Sequence, residues 1–422
     1  MTVRPVIAAA RRTAVAPRGG AFAHLGVDAL AAPVIAACLA DAGLAPGDVD
    51  HVVLGNGLYG GGNPARFASL GAGLPETVPA LTFDTQCCAG LDAIALAARL
   101  VASGAAETVL AGGVESWSRA PIRMTRPIAG EAPVAYDRPP FAPDAAKDVD
   151  MTDAAAALAA AHGVTRKAQE AFAVESHRRA LAAQGAGRFA GEIVAQDLPL
   201  GSDAFTRRLT PALCARLPAI GGSTHHGERS PPHPAPGRSA SFSLSPGGRG
   251  RDPAPEGDGT VRGLALAGTQ DCAITAATAA VEADAAAVVV VTSRRRAPQG
   301  LGIVDAISLG GDPAMPALAP VPAIAALLER NGLVPVDLAA VELMEAYAAQ
   351  AMVDICETGL DPSRVNRCGG ALARGHPIGA SGAILAVRLW HELAGEGPGA
   401  IGLAAIAGAG GLASAMLIRR ER

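Results

Sequence analysis

Two short stretches carry residue types suited to covalent thiol chemistry. The first is Asp84-Thr85-Gln86-Cys87-Cys88-Ala89-Gly90-Leu91-Asp92-Ala93-Ile94. It follows Val78-Pro79-Ala80-Leu81-Thr82-Phe83, which reads as a short buried strand. It leads into an Ala- and Leu-rich segment to Leu100 with no wide polar face. That pattern predicts a helix buried on all sides. Cys87 would then occupy the strand-to-helix turn, where unpaired N–H groups and the helix dipole stabilise a thiolate. Gly90 would admit another backbone at close range. Taken alone, the stretch equally suits a cysteine that is only a small buried apolar residue.

The second stretch is Gly369-Gly370-Ala371-Leu372-Ala373-Arg374-Gly375-His376-Pro377-Ile378-Gly379-Ala380-Ser381-Gly382. A lone histidine is more often structural than catalytic. His376, however, sits in a Gly-rich turn whose place in the chain mirrors that of Cys87. A Cys–His pair is what thiol chemistry requires: the imidazole takes the proton and the sulfur accepts an acyl group.

The elements that would position these residues alternate strand and helix. Strands are predicted at Val6–Ala9, Val52–Gly55 and Thr108–Gly113, with a helix over Val27–Ala42 stopped by Gly43. Strands separated by helices of this length predict βαβ units and a mostly parallel sheet. Residues 117–150 are Pro-rich and irregular, and helices follow at 152–161 and 165–184, the second opened by Thr165 as N-cap. A buried strand returns at Asp284–Ser293. The plan then repeats. Gly332-Leu333-Val334-Pro335 matches Gly43-Leu44-Ala45-Pro46 at an offset of 289, Val341-Glu342-Leu343 matches Val52-Val53-Leu54 at the same offset, and Ser381-Gly382 matches Ala89-Gly90 at 292. Duplication predicts two similar α/β halves, 1–296 and 297–422, with a loop domain inserted at about 117–268.

More than half of residues 221–259 are Gly, Pro or Ser. Such a segment buries too little apolar surface to offset its ordering entropy and reads as a poorly ordered loop. A local slip of reading frame in the gene would produce the same composition. His225 and His226 within it lack Cys or carboxylate partners at ligand spacing, so they read as a solvated pair and no metal site is expected.

Composition bounds the rest. Of 422 residues, half are hydrophobic but only 3% aromatic, and 51 are Gly, so the core is built from Ala, Val, Leu and Ile with close helix–sheet packing. A net charge of −4 argues against a nucleic-acid surface. Seven Cys without metal-type spacing suit a reducing compartment, and no signal-peptide core or uninterrupted apolar run of membrane length is read. The default expectation is a cytoplasmic protein without membrane insertion.

Taken together, the motifs resemble those of the thiolases, acyl-CoA C-acyltransferases of the condensing-enzyme superfamily. The resemblance spans the chain outside about 195–265. It rests on Asn63-Pro64-Ala65-Arg66, the Cys87 block, Gly112-Gly113-Val114-Glu115-Ser116, Glu345-Ala346-Tyr347-Ala348-Ala349-Gln350, the His376 block and Ala407-Gly408-Ala409-Gly410-Gly411. It implies a five-layered α-β-α-β-α fold from two duplicated halves, homodimers or homotetramers, and no permanently bound cofactor. It also implies acyl transfer between coenzyme A thioesters through an S-acyl Cys87, with His376 as base and the backbone N–H groups of Cys87 and Ala407 as oxyanion hole.

Departures from the family pattern are equally specific. The second cysteine, which deprotonates the attacking acyl-CoA, is matched by Ala405, and the Asn that holds an oxyanion-hole water by Met344. A His of the loop domain is Asp150, and a pantetheine-contacting Ser is Ala280. Cys88 faces a different turn and is not expected to replace the missing thiol. Losing a general base costs about 10²–10⁴-fold and an oxyanion donor about 10²–10³-fold. Acyl-enzyme formation is therefore expected to survive while condensation is impaired. The competing expectation is a non-catalytic thiolase-like subunit that assembles with a partner.

Overall fold

The computed structural model describes residues 3–59, 62–222 and 271–421. His225, His226 and nearly all of the low-complexity segment lie outside the described residues.

The first half contains β1 (Pro5–Arg12), β2 (Ala16–Pro17), α1 (Val27–Ala42), β3 (His51–Gly55), α2 (Pro64–Gly71), β4 (Ala80–Phe83), α3 (Ala89–Ser103) and β5 (Thr108–Ser116). An excursion follows with β6 (Arg123–Met124), β7 (Ala135–Tyr136), α4 (Met151–Ala161), α5 (Arg166–Gly185), α6 (Pro211–Cys214), β8 (Ala219–Gly221) and β9 (Ile274–Thr275). Then come β10 (Ala283–Ser293), β11 (Leu301–Gly310), α7 (Pro320–Arg330), β12 (Leu338–Leu343), α8 (Ala348–Thr358), α9 (Ala371–Arg374), α10 (Ile378–Ala394), β13 (Ile401–Gly408) and β14 (Leu412–Arg419).

Local sequence explains the principal boundaries. In α1, Leu30, Val34, Ile35 and Cys38 fall on one buried stripe, and Gly43 ends the helix at φ +64° with its N–H on the Ala40 and Leu39 carbonyls. Asn63 caps α2 through its side chain ahead of Pro64, and Thr165 caps α5. Strand β10, Ala-Asp-Ala-Ala-Ala-Val-Val-Val-Val-Thr-Ser, is buried along its whole length because helices cover both faces.

Strand order carries the duplication. The path runs β4, β3, β5, β10, β1 and then β11, β14, β13, β12. In the first half β3 and β5 pair parallel, then β5 with β10 and β10 with β1 antiparallel. In the second half β12 and β13 pair parallel, then β13 with β14 and β14 with β11 antiparallel. The same senses recur in mirrored order. The sheets are thus mixed rather than mostly parallel: β10 and β14 each return beside the first strand of their half, a pairing that no local pattern records.

Three apolar cores separate five layers. One joins α1 to β1, β3, β5 and β10; a second joins α7 and α8 to β12, β13 and β14; the third lies between the sheets around α3 and α10. Helix α3 is therefore the sandwiched element that its composition predicted. Gln86–Ser103 is in fact long and apolar enough to cross a membrane, contrary to the sequence reading, but it forms the central core helix. The strand before Cys87 also differs from expectation. Strand β4 pairs only with β3 and forms a sheet edge, with Leu81 47% exposed.

Helices α3 and α10 cross at their N-terminal turns, where Gly90 abuts Gly379 and Ala383 and Gly382 abuts Leu91. A Cβ on Gly90 would lie 2.8 Å from the Ala383 nitrogen, and one on Gly382 would lie 2.6 Å from the Leu91 nitrogen. Both values are below any real Cβ contact, so only glycine lets these helix starts touch. That contact sets the turns carrying Cys87 and His376 against each other.

Candidate active site

Cys87 precedes Cys88, the N-cap of α3, on a turn held open by Gln86 at φ +55°. The left-handed backbone at a non-glycine residue is uncommon and concentrates at functional turns. The Asp84 carboxylate accepts the Gln86 N–H at 2.9 Å and stabilises the turn. Below it, Asp92 accepts hydrogen bonds from Thr85 and Ser414 at 2.6 Å each and from Ser308 at 2.5 Å. The first turn of α3 is thereby tied to β11 and β14 of the other half.

Across the crossing, His376 Nε2 lies 3.1 Å from Cys87 Sγ. Its Nδ1 lies 2.6 Å from Ser381 Oγ, and that hydroxyl donates to the Pro377 carbonyl at 3.0 Å. The single Ser381 proton is thus used, so Oγ accepts from Nδ1–H. Nε2 then carries the lone pair and faces the thiol. Backbone positions are fixed as well: His376 N–H donates to Val281 O at 2.7 Å. At the start of α10, Gly379 N–H donates to Glu115 at 2.9 Å, as does Gly57. Burial raises Glu115 to about 7 even though the N–H groups of Gly57, Gly379 and Leu58 act to lower it.

Electrostatics at the pair differ from the sequence expectation. Burial pushes the Cys87 thiol up to about 12, outweighing donation from the N–H groups of Ala409 and of Cys87 itself, while Glu115 and Asp84 add to the rise. Burial also lowers His376 to about 4. Both shifts favour a neutral thiol beside a neutral imidazole. The helix N-terminus does not hold a standing thiolate, because the cost of ionising a sulfur there outweighs the dipole. The arrangement provides a base poised to take the proton as sulfur attacks.

The Gly-rich turn between β13 and β14 also departs from expectation. The backbone N–H of Ala409 reaches Cys87 Sγ, and Ala407, the expected oxyanion donor, lies two residues earlier at the end of β13. Ala405 does not face the sulfur. It packs with Leu403, Ala413 and Ala415 in the core under α7 and α8, on the side of the sheet opposite Ala404 and Ile406, which pack with Cys88. In a stretch of only Ala, Ile and Gly, no side-chain pattern marks the register. No residue from 405 to 411 is a cysteine.

The other departures are placed as follows. Cys88 is buried with its thiol 3.6 Å from the Ile406 carbonyl and turned into the core. Met344 is 1% exposed in the central core, and its N–H donates to Ala405 O. Asp150 caps α4 by accepting from Thr152 and Asp153 N–H. Ala280 lies on a short strap, its N–H donating to Ala346 O at 2.9 Å. Sequence reasoning missed the orienting role of Ser381 and the anchoring role of Asp92. Their signals, a hydroxyl five residues after the histidine and an acid in an apolar helix, were visible but unassigned.

Comparison with known proteins agrees with this architecture. Residues 5–206 match the thiolase N-terminal domain and residues 300–420 the thiolase C-terminal domain. An acetyl-CoA acetyltransferase of Cupriavidus necator is 36% identical, the match covering 99% of each chain. A probable acetyl-CoA acyltransferase of Staphylococcus aureus is 34% identical over 99% of this chain and all of its own. Among solved structures, human mitochondrial 3-ketoacyl-CoA thiolase in complex with CoA superposes with a TM-score of 0.82 at 26% identity, covering 100% of this chain and 98% of that one. The Bacillus anthracis acetyl-CoA acetyltransferase gives 0.79 at 28% identity, covering 99% of each. With both halves matched by their own domain models and the two turns meeting at one Cys–His pair, the chain belongs to the thiolase family.

Proposed function

We propose that the protein is a thiolase-type acyltransferase that takes its acyl group from a coenzyme A thioester onto Cys87. The observation that carries this reading is the 3.1 Å contact between Cys87 Sγ and the unprotonated Nε2 of His376. As sulfur attacks the thioester carbon, its proton passes to Nε2, and the backbone N–H groups of Cys87 and Ala409, which act on the sulfur, are positioned on the side where the oxyanion would develop. Collapse returns the electron pair to the carbonyl and expels the coenzyme A thiolate, which takes the proton from His376. An S-acyl Cys87 and free coenzyme A result. No permanently bound cofactor enters the step.

Condensation is the weaker half of the reaction in this reading. No thiol stands in the Gly-rich turn, and Met344 offers no polar group where the family uses an amide. Without a base for the second substrate, carbon–carbon bond formation should run about 10²–10⁴-fold below an ordinary thiolase. Mass spectrometry after incubation with acyl-CoAs of different length tests the first half. A single acyl adduct on Cys87, absent in Cys87→Ala, is the expected result, and no adduct with any chain length rules the reading out.

The organisation proposed is two halves, 1–296 and 297–422, in a homo-oligomer. The open edge of β4, with Leu81 exposed beside Phe67 and Leu70 of α2, supports self-association. The same surface would serve a heteromeric partner. Seven free cysteines suit a reducing, cytoplasmic setting.

A further inference from the structure

Helix α10, which follows His376 directly, begins without a cap of its own: Pro377 is the N-cap and offers no side-chain acceptor. The acceptor comes from the other half of the chain. Glu115, near the end of β5 and 1% exposed, takes the Gly379 N–H on Oε2 at 2.9 Å. The same oxygen takes the Gly57 N–H at 2.9 Å, Oε1 takes Asn56 Nδ2 at 2.9 Å, and the Leu58 N–H is a further backbone donor. Asn56 is fixed in turn, with Nδ2 also donating to Val114 O at 2.8 Å and Oδ1 accepting from Tyr59 N–H at 2.7 Å. The hydrogen-bond partners of this buried carboxyl are all donors, so it works as a pure acceptor at the helix start.

Gly379 stands between the two residues whose bond sets the base: three residues after His376 and two before Ser381. The first turn of α10 has no slack at this point. A Cβ on Gly379 would lie 2.5 Å from Asn56 Cα, and one on Gly55 would lie 2.7 Å from the Gly379 carbonyl oxygen. The N–H groups of Ala380 and Ser381 close on Pro377 O at 2.9 and 2.8 Å. Among the described residues, the Gly379 N–H has Glu115 as its acceptor instead. Any movement of the Gly379 peptide would carry His376 and Ser381 with it.

We propose that Glu115 is a positioning residue for acylation of Cys87: its carboxyl caps α10 from the opposite half and so fixes the His376–Ser381 bond that presents Nε2 to the sulfur. Its hydrogen bonds reach neither the thiol nor the imidazole, so it acts through the turn between them. The role rests on the acyltransferase reading, and one arm of its test does not require turnover.

The test follows Cys87 acylation by acetyl-CoA with quenched-flow mass spectrometry. Glu115→Leu removes the acceptor and should lower the saturating rate constant about 10- to 100-fold, with half-saturating acetyl-CoA within about twofold of wild type because no substrate contact is lost. Glu115→Gln keeps an amide oxygen for Gly57 and Gly379 and should hold the rate to within about threefold. In a Ser381→Ala background, where the bond to the imidazole is already gone, adding Glu115→Leu should cost only about threefold more. An unchanged rate in Glu115→Leu overturns the proposal. So does an equal loss in Glu115→Gln, or a full repeat of the loss in the Ser381→Ala background. Should Glu115→Leu not fold, Glu115→Asp, which withdraws the carboxyl by one methylene, carries the same prediction. Nitrogen NMR of histidine-labelled protein reads the imidazole without turnover. His376 should carry its proton on Nδ1 in the wild type and become a mixture of tautomers in Glu115→Leu, and an unaltered spectrum also overturns the proposal. Failure of the wild-type protein to form a Cys87 adduct overturns the acyltransferase reading instead, and the spectra still decide whether Glu115 holds the imidazole.

Discussion

The proton between Cys87 and His376 is the residue-scale question, and the structure gives its direction. With the thiol raised to about 12 and the imidazole lowered to about 4, the pair is neutral across the physiological range. His376 is deprotonated, and so competent as a base, at every pH above about 4. Inactivation by iodoacetamide, which reads the free thiolate, should therefore keep rising with pH beyond 9. A plateau below pH 8 would reveal a preformed thiolate–imidazolium pair and show that the pair outweighs the burial that favours its neutral form. Acylation by acyl-CoA, which is assisted by the base, should lose activity only toward pH 4. Ser381 can be tested separately, since its hydroxyl selects the tautomer that leaves Nε2 bare. Ser381→Ala should slow Cys87 acylation about tenfold, the worth of one charge-assisted hydrogen bond, with little change in melting temperature. An unchanged acylation rate would remove Ser381 from the mechanism.

Elements position this pair through one glycine contact and one open edge. Gly90 and Gly382 occupy corresponding places in the two halves, Gly90 against Gly379 and Ala383 and Gly382 against Leu91. Gly382→Ala should force α3 and α10 apart and cost about 1–3 kcal/mol, measurable as a lowered denaturation midpoint. Cys87 acylation should fall as well, because the sulfur and imidazole sit on the same two turns. Full stability in Gly382→Ala would show that the helices have room the geometry denies. At the edge, Leu81→Lys places a charge on β4 and should shift the molecular mass in light scattering toward the monomer without unfolding the chain. Much of this scale was readable beforehand. Val27–Ala42 carries its own apolar stripe and Gly43 stop, and the Cys87 and His376 turns announce themselves by glycine and proline. Pairing sense was not readable, since the return of β10 beside β1 depends on pairs such as Arg12 with Ala287 and Pro5 with Ser293, far apart in the chain. The edge position of β4 and the register of the 405–411 turn were hidden for the same kind of reason. The first depends on what fails to pair, and the second on a strand whose small side chains look alike.

At the scale of the whole molecule, the inserted segment between β5 and β10 is fastened to both halves by buried charge. Arg12 of β1 donates to Glu192 at 2.8 Å and bidentately to Asp203 at 2.6 and 3.0 Å, all three groups fully buried. Glu192 also binds Arg388 of α10, which reaches Glu392 at 2.6 Å, and Glu392 takes Arg367 at 2.7 Å. The segment's acids thus neutralise arginines from the first strand and from the helix that carries the His376 turn. Burial acts to raise Glu192, but Arg12 and Arg388 outweigh it and hold the carboxyl below its usual range; Asp203 is held down in the same way by Arg12. For a depressed carboxylate, the stabilisation is complete above the unfolded value, near 4.3 for Glu and 3.9 for Asp, and is lost as pH falls through the lower folded value. The network should therefore hold down to about pH 4 and release the segment below it. Glu192→Ala would leave two buried guanidiniums short of a partner and should cost about 3–5 kcal/mol at neutral pH, read by chemical denaturation. Replacing Arg12, Glu192 and Asp203 together with apolar residues of similar volume should cost less than Glu192→Ala alone, because Arg12 is removed along with both its acids and Arg388 keeps Glu392. If the triple variant proves the less stable of the two, the charges contribute net stability rather than merely tolerating one another. The coupling of the inserted segment to the His376 helix would then be electrostatic in origin.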